Sequence, residues 1–233
     1  MNGGLSQGAL AVIIPVLNEA ARLPATLHAL RAEIPGAEIV VVDGASTDES
    51  VGVAREAGAR VVFAARGRGA QLAAGIRATS APWLLLLHAD TVLAPGAGAA
   101  LARFIAAPDA GARAGYGRFT LATAAPWARR MERLVAWRAR VLGLPYGDQG
   151  LVISRALLTR VGGMAALPLM EDVDLVRRIG RARLVALPID AVTSAARHAR
   201  GVRRRSLRNL TCLALYFLGV APWRIVSFYH GRE

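Results

Sequence analysis

The acidic side chains of this sequence are few, and several stand at the ends of apolar runs. The 233 residues hold 16 Asp and Glu against 29 basic residues. Asp43 occupies the last position of one apolar run, Asp90 follows a second, and Asn18 and Glu19 follow a third. If these runs are parallel strands, their carboxyl ends meet at one edge of the sheet, where open α/β sheets bind ligands. We therefore expect one polar site there.

Two residues beyond Asp43 have a second interpretation. The segment 46–49 contains Ser46 and Asp48, which are good helix N-cap types. Capping accounts for Ser46 and is an alternative for Asp48. It does not account for Asp43, which lies inside the strand, and we interpret Asp43 as a ligand contact.

His88, Ala89 and Asp90 directly follow the most apolar run of the chain. A hard cation such as Mg²⁺ prefers oxygen ligands and commonly keeps substrate phosphates in its shell, so one carboxylate plus a diphosphate would suffice. His88 could bind the metal or a nucleoside. The alternative is a loop aspartate that caps the turn beside Thr91.

The segment Arg66, Gly67, Arg68 and Gly69 precedes a predicted helix. Free N–H groups and the helix dipole favour anions at a helix N terminus, and two arginines add charge for a diphosphate. A glycine-rich turn alone is a weak signal. The segment is neither a Walker A loop nor a dinucleotide-binding fingerprint.

Glu171, Asp172 and Asp174 open another predicted helix. Acidic residues stabilise the first turn of a helix, which is the simplest explanation. Asp172, however, has helical spacing to Leu175 and to other apolar residues at 176 and 179, so we expect it on the inward face. Desolvation would raise its pKa and suit a general base. Asp174 is placed to pair with Arg177 or Arg178.

The elements that position these residues alternate between strand and helix. The first half of the sequence predicts four strands, at 9–14, 38–43, 60–64 and 83–87. It also predicts four helices, at 22–33, 47–57, 69–78 and 97–105. Continuous apolar strands are typical of parallel sheets covered on both faces. The second half predicts an edge strand at 112–122, further strands at 150–154 and 184–187, and helices at 127–142, 155–161, 172–179 and 203–218.

The composition limits the classes of protein. With 54% hydrophobic and 19% charged residues the chain can bury a core, and its single cysteine, Cys212, excludes a disulfide framework. Every basic residue other than His is Arg, and the net charge is +13. This charge reflects either a GC-rich genome or attraction to anions. We find no signal peptide and no run of about 20 apolar residues that could span a bilayer.

Six motifs occur in a fixed order along the chain. They are VIIPVLNE at 12–19, VVVDGASTD at 40–48, RGRG at 66–69, LLHADT at 86–91, GDQ at 147–149 and MED at 170–172. Together they resemble family 2 glycosyltransferases of the GT-A type over residues 10 to 190. The HADT and GDQ motifs and the tail 193–209 resemble most a bacterial subgroup associated with radical-SAM proteins or arsenosugar biosynthesis.

The resemblance implies a GT-A, Rossmann-like, mostly parallel α/β sheet and a nucleotide-sugar donor. Asp43 would bind the base, Glu19 the ribose or base region, and Asp90 Mg²⁺ or Mn²⁺. His88 stands where the family's Asp-X-Asp motif has its first Asp. The implied donor contacts are Pro15, Asn18, Glu19, Asp43, Ser46, Asp48, Arg66, Arg68, Gly69, His88 and Ala89.

The resemblance also implies an inverting mechanism. Asp172 would be the base that deprotonates an acceptor hydroxyl, and Asp148, Gln149 and Glu171 would lie on the acceptor side. The acceptor would be a small molecule or lipid-linked. We expect one domain over 1–195 with a basic amphipathic extension over 196–233. We also expect a cytoplasmic location, and the chain could form homodimers.

A competing hypothesis is a basic module that binds a membrane surface or nucleic acid without catalysis. Six arginines precede or begin the last apolar stripe, at positions 197, 200, 203, 204, 205 and 208. Aromatic residues do not alternate with them, so we expect no nucleic-acid binding, whereas peripheral contact with the inner membrane face stays compatible with a transferase. His198 is a weaker candidate for a metal or phosphate contact.

Overall fold

The computed structural model describes residues 5–194 and 202–230, with the backbone alone at 202–206 and 227–230. The strands are β1 (Leu10–Val16), β2 (Glu38–Asp43), β3 (Arg60–Phe63), β4 (Trp83–Leu86), β5 (Thr91–Leu93), β6 (Ala114–Leu121), β7 (Leu151–Ser154) and β8 (Leu184–Thr193). The helices are α1 (Leu23–Glu33), α2 (Ser50–Glu56), α3 (Arg68–Arg77), α4 (Ala97–Ile105), α5 (Pro126–Val141), α6 (Arg155–Arg160), α7 (Glu171–Ile179), α8 (Val202–Phe217) and α9 (Pro222–His230).

All eight strands form one sheet in the order β3-β2-β1-β4-β7-β6-β8-β5. Strand β1 lies between β2 and β4 and is parallel to both, and β3 is parallel to β2. Every residue of β1 is buried, as expected for a strand covered by helices on both faces. The parallel α/β arrangement predicted for the first half is confirmed.

The second half is mixed rather than parallel. Strand β7 is antiparallel to β4 and to β6, while β6 is parallel to β8. The strand predicted at 112–122 is confirmed as β6, but its predicted position at the edge is wrong, because β7 and β8 pair with β6 on either side. Strand β8 continues past its predicted end at 187 and pairs along β6, where Arg118 Nη2 donates to Asp190 Oδ2 at 2.7 Å. The short strand β5, antiparallel to β8, was not predicted.

Two hydrophobic layers cover the sheet. One contains Leu23 and Leu27 of α1 together with Leu101 of α4. The other contains Leu72 of α3 and Val176 of α7. Because each layer buries one face of the central strands, the carboxyl ends of β1, β2 and β4 are left as the polar edge of the parallel half.

The C-terminal segment forms the helix predicted at 203–218, which is α8, and a second helix, α9, that was not predicted. Gly219, with a φ of 85°, and Pro222 separate α8 from α9. Cys212 of α8 and Ile225 of α9 are fully buried in the second layer. The division at residue 195 stays a prediction, and His198 with Arg197 and Arg200 lies outside the described residues. None of the described helices is long and apolar enough to span a membrane.

Candidate active site

The loops that follow β1 and β2 are joined by side-chain hydrogen bonds. Asn18, whose φ is 55°, accepts from Thr47 N at 2.8 Å, and its own N–H donates to Ser46 Oγ at 2.9 Å. The buried Asp43 accepts from Ala45 N and Ser46 N at 3.0 and 3.1 Å. Asn18, Asp43 and Ser46 thus fix the shape of these loops. Their direct contact with a donor stays a prediction.

Asp48 lies one residue before Glu49, the N-cap of α2, which makes no side-chain capping hydrogen bond. Its Oδ1 accepts from Ser50 N and its Oδ2 from Ala20 N, both at 3.0 Å. The Ser50 hydroxyl is the main cause that lowers the pKa of Asp48. Asp48 therefore contacts the first N–H of α2, as a capping residue would, whereas the capping interpretation of Ser46 is wrong because the Ser46 hydroxyl accepts from Asn18 N. Glu19, in the preceding loop, donates its N–H to Ser50 Oγ at 2.8 Å and pairs with Arg22 at 2.9 Å.

A cleft of about 560 Å³ opens at the carboxyl ends of β1 and β4. This volume lies in the range of small-molecule sites. Seven of the residues assigned to the donor or the metal line it: Pro15, Glu19, Arg66, Arg68, His88, Ala89 and Asp90. Asn18, Asp43, Ser46, Asp48 and Gly69 were assigned with them but are not among its lining residues. Val226 of α9 also lines the cleft.

Gln71 is a cleft residue that the sequence did not reveal. Its buried amide donates to Val16 O at 2.7 Å and to Val42 O at 2.8 Å. It therefore ties together the ends of β1 and β2 underneath the cleft. In the sequence Gln71 is only a single amide among the alanines of α3. That pattern does not distinguish a buried amide that bridges two strands from one that faces solvent.

Gly69 has a packing role that differs from the predicted one. A Cβ at this position would lie 2.5 Å from Leu167 O and 2.6 Å from Ala165 O. The absent side chain lets the backbone at 165–167 approach the first turn of α3. Close approach of a phosphate is therefore not needed to explain this glycine.

His88 marks the boundary between the cleft and a second, smaller cavity. It lines both, and a Cβ on Gly147 would lie 2.4 Å from His88 Nε2. Arg68 Nη1 lies 3.5 Å from the same nitrogen. The next residue, Ala89, is fixed by the Thr26 hydroxyl, which donates to Ala89 O at 2.8 Å. These contacts hold the segment after β4 at the cleft wall.

The residues present fit a divalent cation held partly by a ligand. Asp90 is buried at the wall and offers carboxylate oxygens, which Mg²⁺ and Mn²⁺ accept. Residues 5–194 and 202–230 contain no group of three or more His, Cys, Asp or Glu that could hold a metal. Bound phosphates and water would complete the coordination shell, as is usual for Mg²⁺.

The first turn of α7 carries the buried acid of the site. The helix has acidic residues at its N terminus and arginines in its last turn, which complements its dipole, and it ends at Gly180 with a φ of 83°. The side chain of Glu171 is 2% exposed and pairs with Arg68 Nε at 2.8 Å. Burial raises the pKa of Glu171 to about 7, against the lowering effect of Arg68, and the charge of Asp172 adds to the rise.

Asp172 is half-buried beside the small cavity. Its Oδ2 accepts from Gly147 N at 3.1 Å and its Oδ1 from Val173 N at 2.8 Å. Leu175, which was predicted to share the inward face of the helix with Asp172, is buried. The fully buried acid is nevertheless Glu171, whereas Asp172 is half-buried. The helical spacing was correct, but the sequence did not show that the residue before Asp172 faces Arg68.

The loop that reaches Asp172 is held from α5. Arg138 donates to Leu144 O at 2.9 Å and stacks on the Tyr146 ring, with its guanidinium carbon 3.4 Å from the ring centre. Gln149 is buried and donates to Gly117 O at 2.9 Å. Gln149 thus ties the loop to β6 and lines neither the cleft nor the small cavity. Asp148 is half-buried, and its charge contributes to a raised pKa of Tyr146, which burial mainly causes.

The structure thus brings the predicted residues together in two adjoining places. Asp90 lies in the cleft and Asp172 in the small cavity, and His88 lines both. Arg68 connects the two, since it pairs with Glu171. Asp43 lines neither cavity and instead shapes a loop.

The fold matches that of glycosyltransferases with the GT-A-like architecture. Glucosyl-3-phosphoglycerate synthase from Mycobacterium tuberculosis, solved with Mn²⁺ and UDP-glucose, has a TM-score of 0.59 at 19% identity, over 87% of this chain and 77% of that one. A mannosyltransferase from Pyrobaculum calidifontis, solved with GDP-Man and Mn²⁺, has a TM-score of 0.61 at 20% identity, over 90% and 63% of the two chains.

Residues 11–167 match the family described as Glycosyl transferase family 2. The chain belongs to this family. An uncharacterized glycosyltransferase of Mycobacterium tuberculosis is 36% identical over 136 residues, which are 57% of this chain and 60% of the relative. A PGL/p-HBAD biosynthesis glycosyltransferase of the same species is 40% identical over 96 residues, or 35% of each chain. The matched segment thus spans about 60% of the length of the first of these relatives.

Proposed function

We propose that this chain transfers a sugar from a nucleoside-diphosphate sugar to an acceptor hydroxyl, with inversion at the anomeric carbon. The observation that carries the proposal is the cleft at the ends of β1 and β4. It combines Asp90 with Arg66 and Arg68, and it adjoins the cavity of Asp172 through His88. This arrangement supports a site in which the diphosphate would meet the two arginines beside a carboxylate that could act as the base.

The donor diphosphate would lie against Arg66, which is exposed in the cleft. Mg²⁺ or Mn²⁺ bound at Asp90 would neutralise charge on the diphosphate as it leaves. The solved relatives named above were crystallised with Mn²⁺ and UDP-glucose or GDP-Man. Their ligands support a donor of the same chemical class here.

Asp172 would accept the proton of the acceptor hydroxyl while that oxygen attacks the anomeric carbon. The new carbon–oxygen bond forms as the bond to the diphosphate breaks, so the proton ends on Asp172 and the electron pair on the leaving phosphate. Two backbone N–H groups, of Gly147 and Val173, donate to the Asp172 carboxylate and orient it. Arg66 and Arg68 would stabilise the departing negative charge.

The donor is tested first. Unfolding temperatures of the full chain are measured with UDP-, GDP- and dTDP-sugars and with their diphosphates, each with and without Mn²⁺. A ligand that binds the folded chain raises the transition. A rise for one nucleotide class that depends on Mn²⁺ is expected. No rise with any sugar nucleotide would contradict the proposal and favour a binding module without catalysis.

Asp90→Ala should remove the part of donor binding that depends on the metal. We expect the Mn²⁺-dependent rise to disappear while the rise without metal is unchanged, because Arg66 still faces the diphosphate. Asp109→Asn, in an exposed pair with Arg113, is the control for the loss of one surface carboxylate. An Asp90→Ala chain with the full metal effect would exclude Asp90 as a ligand.

Asp172→Asn should abolish transfer and leave donor affinity nearly intact. The amide cannot take a proton, and the loss of a general base typically costs about 10²- to 10⁴-fold in rate. The readout is release of nucleoside diphosphate from the donor identified above, together with its thermal shift. Comparable rates in the variant would remove Asp172 from this role.

The proposal leaves the acceptor open, with Asp148 and Glu171 as candidates on its side. It does not extend to the subgroup associated with radical-SAM proteins or arsenosugar biosynthesis, because the relatives named above are glycosyltransferases without that description. A cytoplasmic location and homodimers stay predictions.

A further inference from the structure

Helix α8 has an apolar stripe on its solvent side. Leu207, Leu210 and Leu218 are all exposed, the last at 79%, and Ala214 between them is exposed as well. Their spacing of three, four and four residues places them on one face. Cys212, on the other side of the helix, is fully buried in the core. The sequence predicts one apolar stripe at 207, 210, 211, 214, 215 and 218. Its members at 211 and 215 are half-buried and the other four face solvent, although the helix is anchored to the domain.

The stripe continues into α9. Trp223 is 66% exposed, and Phe217 at the end of α8 is half exposed. Ten large hydrophobic side chains are exposed in the described part of the chain, and α8, α9 and their connection carry five of them. Four others lie on or just after α5, and the last is Phe63. Such a concentration of exposed apolar side chains is typical of an interaction site.

The same segment is strongly basic. The sequence from 191 to 232 contains eight arginines and no acidic residue. Arg203, Arg204 and Arg205 fall in the first turn of α8, where the helix dipole already has its positive end. Positive residues at this end oppose the dipole within the isolated chain. An anionic partner would relieve this repulsion.

We propose that α8 and α9 lie on an anionic membrane surface. Apolar side chains flanked by arginines are what an interfacial helix presents to the boundary between lipid headgroups and acyl chains. Anionic lipids complement the positive charge of the segment. A second copy of the chain would bring the same arginines together without an acid to pair with them. Nucleic acid would leave the apolar stripe in water.

The membrane face adjoins the cleft. Val226, three residues after Trp223, lines the cleft, and Ile225 between them is buried. Docking through α8 and α9 would therefore hold the cleft close to the lipid surface. The inference concerns binding alone and does not depend on the proposed transfer reaction.

The test is cosedimentation of the full chain with vesicles, without donor or acceptor. One set contains phosphatidylcholine, and the other adds phosphatidylglycerol. We expect binding to the second set that weakens with salt. The double variant Leu210→Ser with Leu218→Ser, and separately Trp223→Ser, should each reduce the partition coefficient by about tenfold or more, since they remove buried apolar area at the interface.

Phe63→Ser is the matched control, because Phe63 is 63% exposed but belongs to β3 at one end of the sheet. It should bind vesicles like the parent. Equal unfolding temperatures would show that all variants are folded. The proposal is overturned if the parent does not bind phosphatidylglycerol vesicles, or if the stripe variants bind as the parent does. A parent dimer that the variants dissociate, or RNA binding, in each case without vesicle binding, would also overturn it.

Discussion

Replacing Glu171 with Gln should change how the stability of this protein depends on pH. Glu171 is enclosed at the start of α7 with Arg68 as its ion-pair partner, and its Oε2 is buried without a hydrogen-bond partner in the described part of the chain. Burial raises the pKa of Glu171 from 4.5 to about 7, even though the charge of Arg68 opposes the rise. The folded chain therefore disfavours the ionised acid, and Gln is its neutral counterpart.

The sign and size of the effect follow from proton linkage. A carboxyl whose folded pKa is raised contributes stability below its unfolded pKa, and this contribution is lost as the pH rises through the folded pKa. Each pKa unit corresponds to roughly 1.4 kcal/mol. The interval from 4.5 to about 7 therefore corresponds to about 3 kcal/mol of unfolding free energy. The amide introduced by Glu171→Gln does not titrate, so this loss should be absent from the variant.

The assay is urea unfolding of both chains between about pH 5 and about pH 8, the window in which most of the change develops. The variant should match the parent at the acid end and exceed it by up to about 3 kcal/mol at the alkaline end. Other titrating groups cancel because both chains contain them. Asp109→Asn, at the surface, should shift the profile without changing its slope. Parallel profiles for parent and Glu171→Gln would refute the raised pKa and the burial that causes it.

Two further substitutions test the scaffold around the site. Gln71→Ala removes the amide that donates to the carbonyls of Val16 and Val42, although Val16 O still accepts from Gly44 N. The unfolding free energy in urea titrations should fall by about 1 to 3 kcal/mol, and a loss below measurement error would mean that water replaces the amide. Gly147→Ala places a Cβ within 2.4 Å of His88 Nε2, so we expect displacement of the ring, about 1 to 3 kcal/mol of destabilisation and a weaker thermal shift with donor. An unchanged shift would show that the ring moves away without affecting the cleft.

The parallel half of the fold was predictable because its signals are local. Strands such as β1 and β2 are continuous apolar runs, and helices with apolar faces separate them. Strand β2 ends at Asp43, and polar residues follow β1 and β4 within a few positions, so the position of Asp90 at the cleft also followed. Topology alone then carries these ends to one edge of the sheet.

The second half depended on contacts between distant segments. Strand β8 contains Pro188 and Asp190, which made its second part look unlike a strand. Asp190 is accommodated because Arg118 of β6 pairs with it across the sheet. This pair joins residues 72 positions apart. No local sequence pattern shows the pair between Arg118 and Asp190, so β6 was predicted as an edge strand.

The roles of neighbouring acids were also beyond local pattern. Glu171 and Asp172 are adjacent, and helical spacing favoured Asp172 as the buried one. In the structure Glu171 is the more buried of the two acids. It forms an ion pair with Arg68 at the start of α3, whereas Asp172 accepts a hydrogen bond from the Gly147 N–H. The partners that distinguish the two acids come from α3 and from the loop before β7, and neither is visible in the motif itself.

His88, at the position where the family resemblance implies the first Asp of an Asp-X-Asp motif, affects the charge of the cleft. Its lining acids are Glu19, which already pairs with Arg22, and Asp90. Arg66 and Arg68 balance them, so a bound diphosphate would meet less negative charge than in a cleft with an aspartate at position 88. Arg68 is shared with Glu171, so a diphosphate in the cleft would compete with that carboxylate for the Arg68 guanidinium. We therefore expect donor binding and the ion pair between Arg68 and Glu171 to affect each other.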